Sequence, residues 1–383
     1  MKYYIIAGEA SGDLHGANLL KELLAKDSDA HIRYWGGDRM ASVAMWSGKD
    51  NDIQQVRHIR DLAFMGIVEV VSHLGAVLGN IRFCKRDIME YKPDVIVYID
   101  YPSFNLKIAK FAHAHGFKNL HYISPQVWAW KRGRLRPMRR DLDRLCYILP
   151  MEQEFYKKNS MPQAVYVGHP LLDEVERYKT DRSGSANRGS VERKTIALLP
   201  GSRKQELGKM LPMMVRLAKV HKEYNFVVTG MSLIGDAYYR RFIPSESDNI
   251  EVVYDKTYDV LSEAYAAVVC SGTATLETAL FGVPQVVCYQ CNPLSAAIAR
   301  RLIASRIKYI SLVNLIADER IVSELIQDDF DFDRLESEFA LITKDEANRQ
   351  RIADGYDKVA GILGGAGASG RTADEVISIA AKK

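Results

Sequence analysis

Asp100 closes the apolar run Val95-Ile96-Val97-Tyr98-Ile99 and is followed by Tyr101-Pro102. A carboxylate at the carboxyl end of a buried strand is placed to take a proton from a bound hydroxyl, a role worth about 10²–10⁴-fold in rate. The same position also suits an aspartate that caps a helix or closes a turn. Three further stretches combine small residues, backbone donors and charge at the end of an apolar run. They are Gly8-Glu9-Ala10-Ser11-Gly12-Asp13-Leu14-His15-Gly16, Gly201-Ser202-Arg203, and Ser271-Gly272-Thr273-Ala274-Thr275-Leu276-Glu277. Small residues at a strand-to-helix turn let a ligand reach free N–H groups, where the helix dipole amounts to roughly half a positive charge. A diphosphate suits the 271–277 turn. Arg203 offers a planar, charge-assisted grip on phosphate oxygens, or else a surface ion pair. Glu277 can accept hydrogen bonds from both hydroxyls of a ribose, or simply complement the helix dipole.

Two other segments are unusual in composition. Ser124-Pro125-Gln126-Val127-Trp128-Ala129-Trp130-Lys131 leads into a stretch with basic residues at Lys131, Arg132, Arg134, Arg136, Arg139, Arg140 and Arg144, opposed by Asp141 and Asp143. Such a surface suits anionic lipid headgroups or a phosphorylated substrate, at about 1 kcal/mol per basic residue near an anionic membrane. Nucleic acid is the weaker alternative, and a solvated helix face with its tryptophans in the core is the plain one. Ala63-Phe64-Met65-Gly66-Ile67-Val68-Glu69-Val70-Val71 is apolar throughout and continues to Leu74, Val77, Leu78 and Ile81. Periodicity alone suits a buried helix, and an acyl- or bilayer-facing surface is the functional alternative.

The elements that must position these residues follow from pattern. A chain of 383 residues with 47% apolar and 26% charged residues is long for a single core, so two domains are expected. A net charge of +4 does not by itself point to nucleic acid. No uncharged apolar run of about 18 residues occurs, and the N-terminus reads directly as a strand, so a spanning helix and a secretion signal are not expected. Five cysteines do not make a disulfide framework, and Cys288-x-x-Cys291 lacks the second ligand pair of a zinc site. A cytoplasmic location fits all of this. Walker A, HExxH and GxSxG patterns are absent, which argues against a P-loop ATPase, a zincin and an α/β-hydrolase.

Strands are predicted over residues 3–7, 94–99, 120–123, 145–149 and 164–167, with helices between. A helix is predicted over residues 17–26, with Leu19, Leu20, Leu23 and Leu24 inward, and another capped by Asn105. The polar stretch 179–193 reads as a linker. The alternation then restarts with strands at 195–199, 226–229, 252–254, 267–270 and 285–289, and the last third reads as helical. The expected fold is α/β, with two doubly wound Rossmann-like domains facing a cleft: residues 1–178 and residues 194–362, followed by a last helix within 363–383 whose return to the first domain the sequence leaves open.

These motifs, in this order, resemble the lipid-A-disaccharide synthase family of GT-B glycosyltransferases. The resemblance rests on Gly8-Glu9-Ala10-Ser11-Gly12-Asp13, residues 64–70, Ile99-Asp100 before Phe104-Asn105, residues 122–130, Gly168-His169-Pro170-Leu171, residues 199–203 with Glu206, residues 271–277, and residues 309–315. It covers almost the whole chain. It implies an inverting transfer from UDP-2,3-diacylglucosamine to 2,3-diacylglucosamine 1-phosphate, giving the β-1,6-linked disaccharide 1-phosphate and UDP, with no cofactor and no divalent metal.

By the same resemblance Asp100 is the general base. The nucleotide side comprises Gly201, Ser202, Arg203, Glu206, Ser271, Gly272, Thr273, Ala274, Glu277 and Asn314. Ser11, Gly12, Asp13, Ser124, Gln126 and Trp128 shape the acceptor side. Phe64, Met65, Ile67, Val68, Val71, Trp130, Lys131 and Arg132 meet acyl chains and the inner-membrane surface, to which the protein would attach peripherally. The resemblance leaves a homodimer open and implies no nucleic-acid partner. Gln290 stands where the family usually has a basic residue, and the linker is longer and more polar than usual. A UDP-sugar epimerase of the same architecture and a non-catalytic sugar-nucleotide or lipid sensor are the competing readings, with an NAD-dependent dehydrogenase disfavoured because the first turn lacks GxGxxG.

Overall fold

A computed structural model describes residues 1–48, 52–61, 74–182, 193–243, 247–292 and 307–382. The chain forms two compact units, Met1–Asp173 with Ala366–Lys383, and Glu174–Gly365.

The first unit is built on seven parallel strands: β1 (Lys2–Ala7), β2 (His31–Gly36), β3 (Ile53–His58), β4 (Val95–Ile99), β5 (Lys118–Tyr122), β6 (Arg144–Tyr147) and β7 (Ala164–Tyr166). Their order in the sheet is β3-β2-β1-β4-β5-β6-β7. All five residues of β4 are buried, as expected of a parallel strand covered on both faces. Alternate residues feed two cores. Tyr3, Ile5, Val97 and Ile99 face the helix Ala10–Lys26 through Leu19, Leu20 and Leu23. Tyr4, Ile6, Ile96 and Tyr98 face Ile81, Cys84, Ile88 and Ile108.

The last helix, Ala368–Ala380, belongs to this unit, where Ala373, Val376 and Ile379 join the first of these cores. Asp173 holds its start: the carboxylate accepts N–H bonds from Gly367 (2.6 Å), Ala368 (3.1 Å) and Ser369 (2.9 Å). These satisfy donors that every helix start leaves orphaned.

The second unit carries six parallel strands: β8 (Thr195–Leu199), β9 (Asn225–Gly230), β10 (Ile250–Tyr254), β11 (Ala266–Cys270), β12 (Gln285–Tyr289) and β13 (Ser323–Ile326), in the order β10-β9-β8-β11-β12-β13. Each sheet reverses its direction of growth once, between β1 and β4 in the first and between β8 and β11 in the second. Open α/β sheets bind ligands in the crevice beyond the strand ends at such a switch point.

Five details differ from the sequence reading. The first helix begins at Ala10 and takes in most of the glycine-rich stretch. Asn105 does not cap its helix, which runs Pro102–Ala114 with Tyr101 at the cap. Strands β2 and β3 carry charged and amide residues that break their apolar alternation, and β13 is a four-residue edge strand inside the supposedly helical last third. The division between the units falls at Asp173, within the helix Pro170–Arg182. Residues 183–192 of the expected linker lie outside the described residues.

Candidate functional site

At the first switch point, Gly8 and Glu9 leave β1 and Asp100 and Tyr101 leave β4. Asp100 and Tyr101 both adopt left-handed backbone conformations, with φ of 46° and 47°. For residues with a Cβ this costs about 1–2 kcal/mol each, and such strain persists where the surroundings over-determine it. Here they do. The Asp100 N–H donates to Tyr122 O at 3.0 Å, and its carbonyl accepts from Asn105 Nδ2 at 2.7 Å. Burial, reinforced by the like charge of Glu9, pushes the Asp100 carboxyl up to about 6, against the lowering effect of the Tyr101 N–H. A carboxylate with an affinity in that range is poised to receive a proton near neutral pH.

Glu9 caps the helix Ala10–Lys26 without a side-chain hydrogen bond. Sequence reasoning gave it no task, although it lies inside the first motif. Ser11 is exposed at that helix start, and Gly12 is buried against Ala7. Asp13 points the other way. Its carboxylate accepts N–H bonds from Gly37 (2.6 Å), Met40 (3.2 Å) and Arg39 (3.0 Å), holding the start of the helix Asp38–Trp46. Asp13 therefore braces the β1 and β2 ends together.

Ser124 is also turned inward. Its hydroxyl donates to Glu152 Oε1 at 2.6 Å and accepts from Tyr156 OH at 2.9 Å. Glu152 is 1% exposed, and burial pushes its carboxyl up to about 7, with the Ser124 and Leu149 hydrogen bonds opposing. Gln126 is exposed, and Trp128 is half-buried with its indole N–H enclosed and unpartnered.

At the second switch point, Gly201-Ser202-Arg203 leaves β8 and Ser271-Gly272-Thr273 leaves β11, paired through Val269 and Leu199. Glu206 organises the first loop: its Oε2 accepts from the N–H groups of Ser202 (3.0 Å) and Arg203 (3.3 Å). Gly201 has φ of 101°, and a Cβ there would stand 2.6 Å from Glu206 Oε2, so only glycine fits. The Arg203 side chain is exposed, with its Nη1 3.5 Å from Glu206 Oε1.

The helix Thr273–Leu280 starts without a side-chain cap, with Gly272 and Thr273 exposed. Its first N–H groups are thus open to an anion. Ser271 differs from its neighbours: its N–H is taken by Cys288 O at 2.9 Å and its hydroxyl by Ile310 O at 3.1 Å. Glu277 accepts from Tyr258 OH at 3.0 Å, and burial raises its carboxyl above the usual range, Glu174 adding to the effect.

Asn314 is fully buried. It donates to Val322 O and Glu324 Oε1, each at 2.9 Å, and accepts from the N–H groups of Ile321 (2.8 Å) and Val322 (3.0 Å). Glu324 is the partner that sequence reasoning missed. It also receives Ile310 N–H and the Ser311 N–H and hydroxyl. Nothing local marks it, because its partners lie 10 to 14 residues upstream.

Of the apolar and basic set, Trp130 is 43% exposed, with Lys131 Nζ 4.3 Å from its ring centroid, and Lys131 and Arg132 are exposed. Phe64, Met65, Ile67, Val68 and Val71 lie outside the described residues. Downstream of them Leu78 is 44% exposed and Ile81 buried. No helix among the described residues is long and apolar enough to cross a membrane. Cys288 is buried within β12 and Cys291 partly so, both as free thiols.

Two doubly wound units, one with a perturbed carboxylate at its switch point and one with an uncapped helix start at its own, define a GT-B enzyme. Solved structures share the fold. The UDP-GlcNAc 2-epimerase from Neisseria meningitidis bound to UDP-GlcNAc matches with a TM-score of 0.68 at 12% identity, covering 99% of this chain and 100% of that one. The calicheamicin glycosyltransferase CalG4 matches with a TM-score of 0.61 at 15% identity, covering 100% and 98%. Identities this low speak for the fold alone. The family described as lipid-A-disaccharide synthetase matches residues 3–365. Lipid-A-disaccharide synthase of Geobacter metallireducens is 36% identical over 99% of this chain and 97% of its own length, and that of Acidobacterium capsulatum 36% identical over 96% and 92%. The chain belongs to the lipid-A-disaccharide synthase family. It is a glycosyltransferase that forms the lipid A disaccharide, and the epimerase reading is not favoured.

Proposed function

We propose that the donor is UDP-2,3-diacylglucosamine and the acceptor 2,3-diacylglucosamine 1-phosphate. The acceptor 6-hydroxyl oxygen attacks the donor anomeric carbon from the face opposite the diphosphate. The new C–O bond forms as the bond to the diphosphate oxygen breaks, so the α-linked donor gives a β-1,6 product and UDP leaves. Asp100 takes the hydroxyl proton. The observation that carries this reading is the Asp100 carboxyl itself, half-buried at the β4 end within reach of the Glu9 charge and raised to about 6.

On the donor side, the N–H groups of Gly272, Thr273 and Ala274 and the Arg203 guanidinium receive the charge that develops on the leaving diphosphate. Glu277 takes the ribose hydroxyls. Gly201, Ser202 and Glu206 shape the loop that carries Arg203, while Ser271 and Asn314 hold the opposite wall. On the acceptor side, Ser11, Gly12, Gln126 and Trp128 meet the sugar, with Asp13 and Ser124 supporting them from behind. Trp130, Lys131 and Arg132, with Phe64, Met65, Ile67, Val68 and Val71, lie against acyl chains and the inner-membrane surface, where the protein would attach peripherally. An apolar anchor gains about 0.8 kcal/mol per buried methylene, so the chains contribute most of the acceptor's grip.

The test is direct. Purified protein given both acylated substrates in detergent, without added divalent metal, is expected to release UDP and form a β-1,6 disaccharide 1-phosphate. No product from correctly acylated substrates, or turnover of a non-acylated UDP-sugar alone, overturns the assignment.

A further inference from the structure

Ile123, directly after β5, has φ of 62°. A β-branched residue in the left-handed region is a true outlier, because both γ-substituents crowd the backbone. It stands between two residues with defined tasks. Tyr122 before it supplies the carbonyl that fixes the Asp100 N–H at 3.0 Å. Ser124 after it is tied to Glu152 Oε1 at 2.6 Å, while the second carboxylate oxygen accepts from Leu149 N–H at 3.2 Å. Tyr156 OH closes the cluster on Ser124 Oγ at 2.9 Å. A buried carboxylate is costly unless it is well partnered. The partners here are the Ser124 hydroxyl and the Leu149 N–H, with no cation among the hydrogen bonds, so the arrangement gains more in fixing the loop than in stability.

We propose that Glu152 is a positioning residue for glycosyl transfer: through Ser124 it holds the strained Ile123 turn, and so fixes both the strand end that orients Asp100 and the loop that carries Gln126 and Trp128. The proposal rests on Asp100 being the base. Left-handed conformations at Asp100, Tyr101 and Ile123 sit side by side at the ends of the neighbouring strands β4 and β5. Releasing the lock lets Ile123 relax and moves the Tyr122 carbonyl, which shifts Asp100 without touching the nucleotide half of the chain.

The experiment compares Glu152→Gln, Ser124→Ala, their double variant, Tyr156→Phe and Asp100→Asn, reading kcat, both KM values, UDP affinity by calorimetry and melting temperature. Each of the first two singles is expected to lower kcat at least tenfold, with UDP affinity within twofold of the parent. The double variant should be no worse than the poorer single, because both break one lock. Tyr156→Phe should give a smaller loss in the same direction. Full kcat in Ser124→Ala, multiplying losses in the double variant, or a parallel fall in UDP affinity overturns the proposal. Should Glu152→Gln fail to fold, Ser124→Ala and Tyr156→Phe decide alone, and full kcat in both overturns it. Loss in Asp100→Asn with full kcat in the Ser124 and Glu152 variants removes only the positioning role. Full activity in Asp100→Asn removes the base assignment instead.

Discussion

The ring of Tyr101 lies directly on the backbone of Gly8, so that a Cβ on Gly8 would stand 2.3 Å from Tyr101 Cδ1. Any side chain at position 8 must displace the ring, and with it the left-handed pair Asp100-Tyr101. Gly8→Ala is therefore expected to lower kcat more than tenfold, with UDP affinity within twofold of the parent. Steady-state kinetics beside UDP calorimetry checks this, and an unchanged kcat would show that the ring yields without moving the base.

Asp100 gives a prediction with opposite signs for activity and stability. Its folded affinity of about 6 lies above the ordinary 3.8. The working base is the deprotonated form, so kcat/KM should rise with pH through about 6 and level off above it. Glu9→Gln removes a like charge and should move that limb to lower pH. For folding, a raised carboxyl favours the native state at low pH, and that contribution is lost as pH climbs from about 4 through 6. Asp100→Asn should thus cut kcat by about 10²–10⁴-fold. It should also stabilise the protein at pH 8 by about 3 kcal/mol, and little at pH 4. Melting curves at the two pH values, with kinetics, separate the effects.

Asn314 tests whether the second unit's wall is braced as its hydrogen bonds indicate. Its amide donates to Val322 O and Glu324 Oε1. Asn314→Asp would aim carboxylate oxygens at both acceptors, at a cost of about 1–3 kcal/mol or more. A lowered melting temperature is expected, along with weaker UDP binding by the folded protein. Asn314→Asp in a Glu324→Gln background should recover part of the loss, because one of the facing charges is gone. Absence of any recovery would place the defect elsewhere.

The exposed Trp130 with Lys131 and Arg132 predicts a salt-sensitive attachment to anionic vesicles. Replacing Lys131 and Arg132 with Gln should weaken co-sedimentation by about 1 kcal/mol each at low salt, roughly thirtyfold together. The difference should shrink above 0.5 M salt, where the Debye length falls below about 5 Å. Equal binding of parent and variant to anionic vesicles at low salt would remove these residues from the membrane face.

Much of the fold was legible because it is written locally. The uniform apolar runs of β1, β4, β8, β11 and β12 announce strands buried on both faces, and the turns after β1, β8 and β11 carry small residues that suit a close backbone approach. The placement of Asp100, Arg203 and the 271–277 turn at strand ends followed from the same reading. Strand β13 escaped it, since Ser323-Glu324-Leu325-Ile326 has only two apolar residues and no local periodicity.

What the sequence determined by itself is the set of groups and their spacing: which strands end in a carboxylate, an arginine or a run of free N–H donors, and that two such sets exist. Tertiary structure decided what each group is free to do. Asp13, Ser124, Glu206 and Asn314 look equally suited to a ligand in the linear chain. In the fold their polar atoms are spent on Gly37, Glu152, Ser202 and Val322, partners found only once strands are ordered or loops closed. The upward shift of Asp100 is likewise invisible in its neighbours along the chain, because it comes from burial and from a charge on another strand end, 91 residues away in sequence. Hydrogen bonding and desolvation are properties of proximity in space, and only the sheet order brings those residues together.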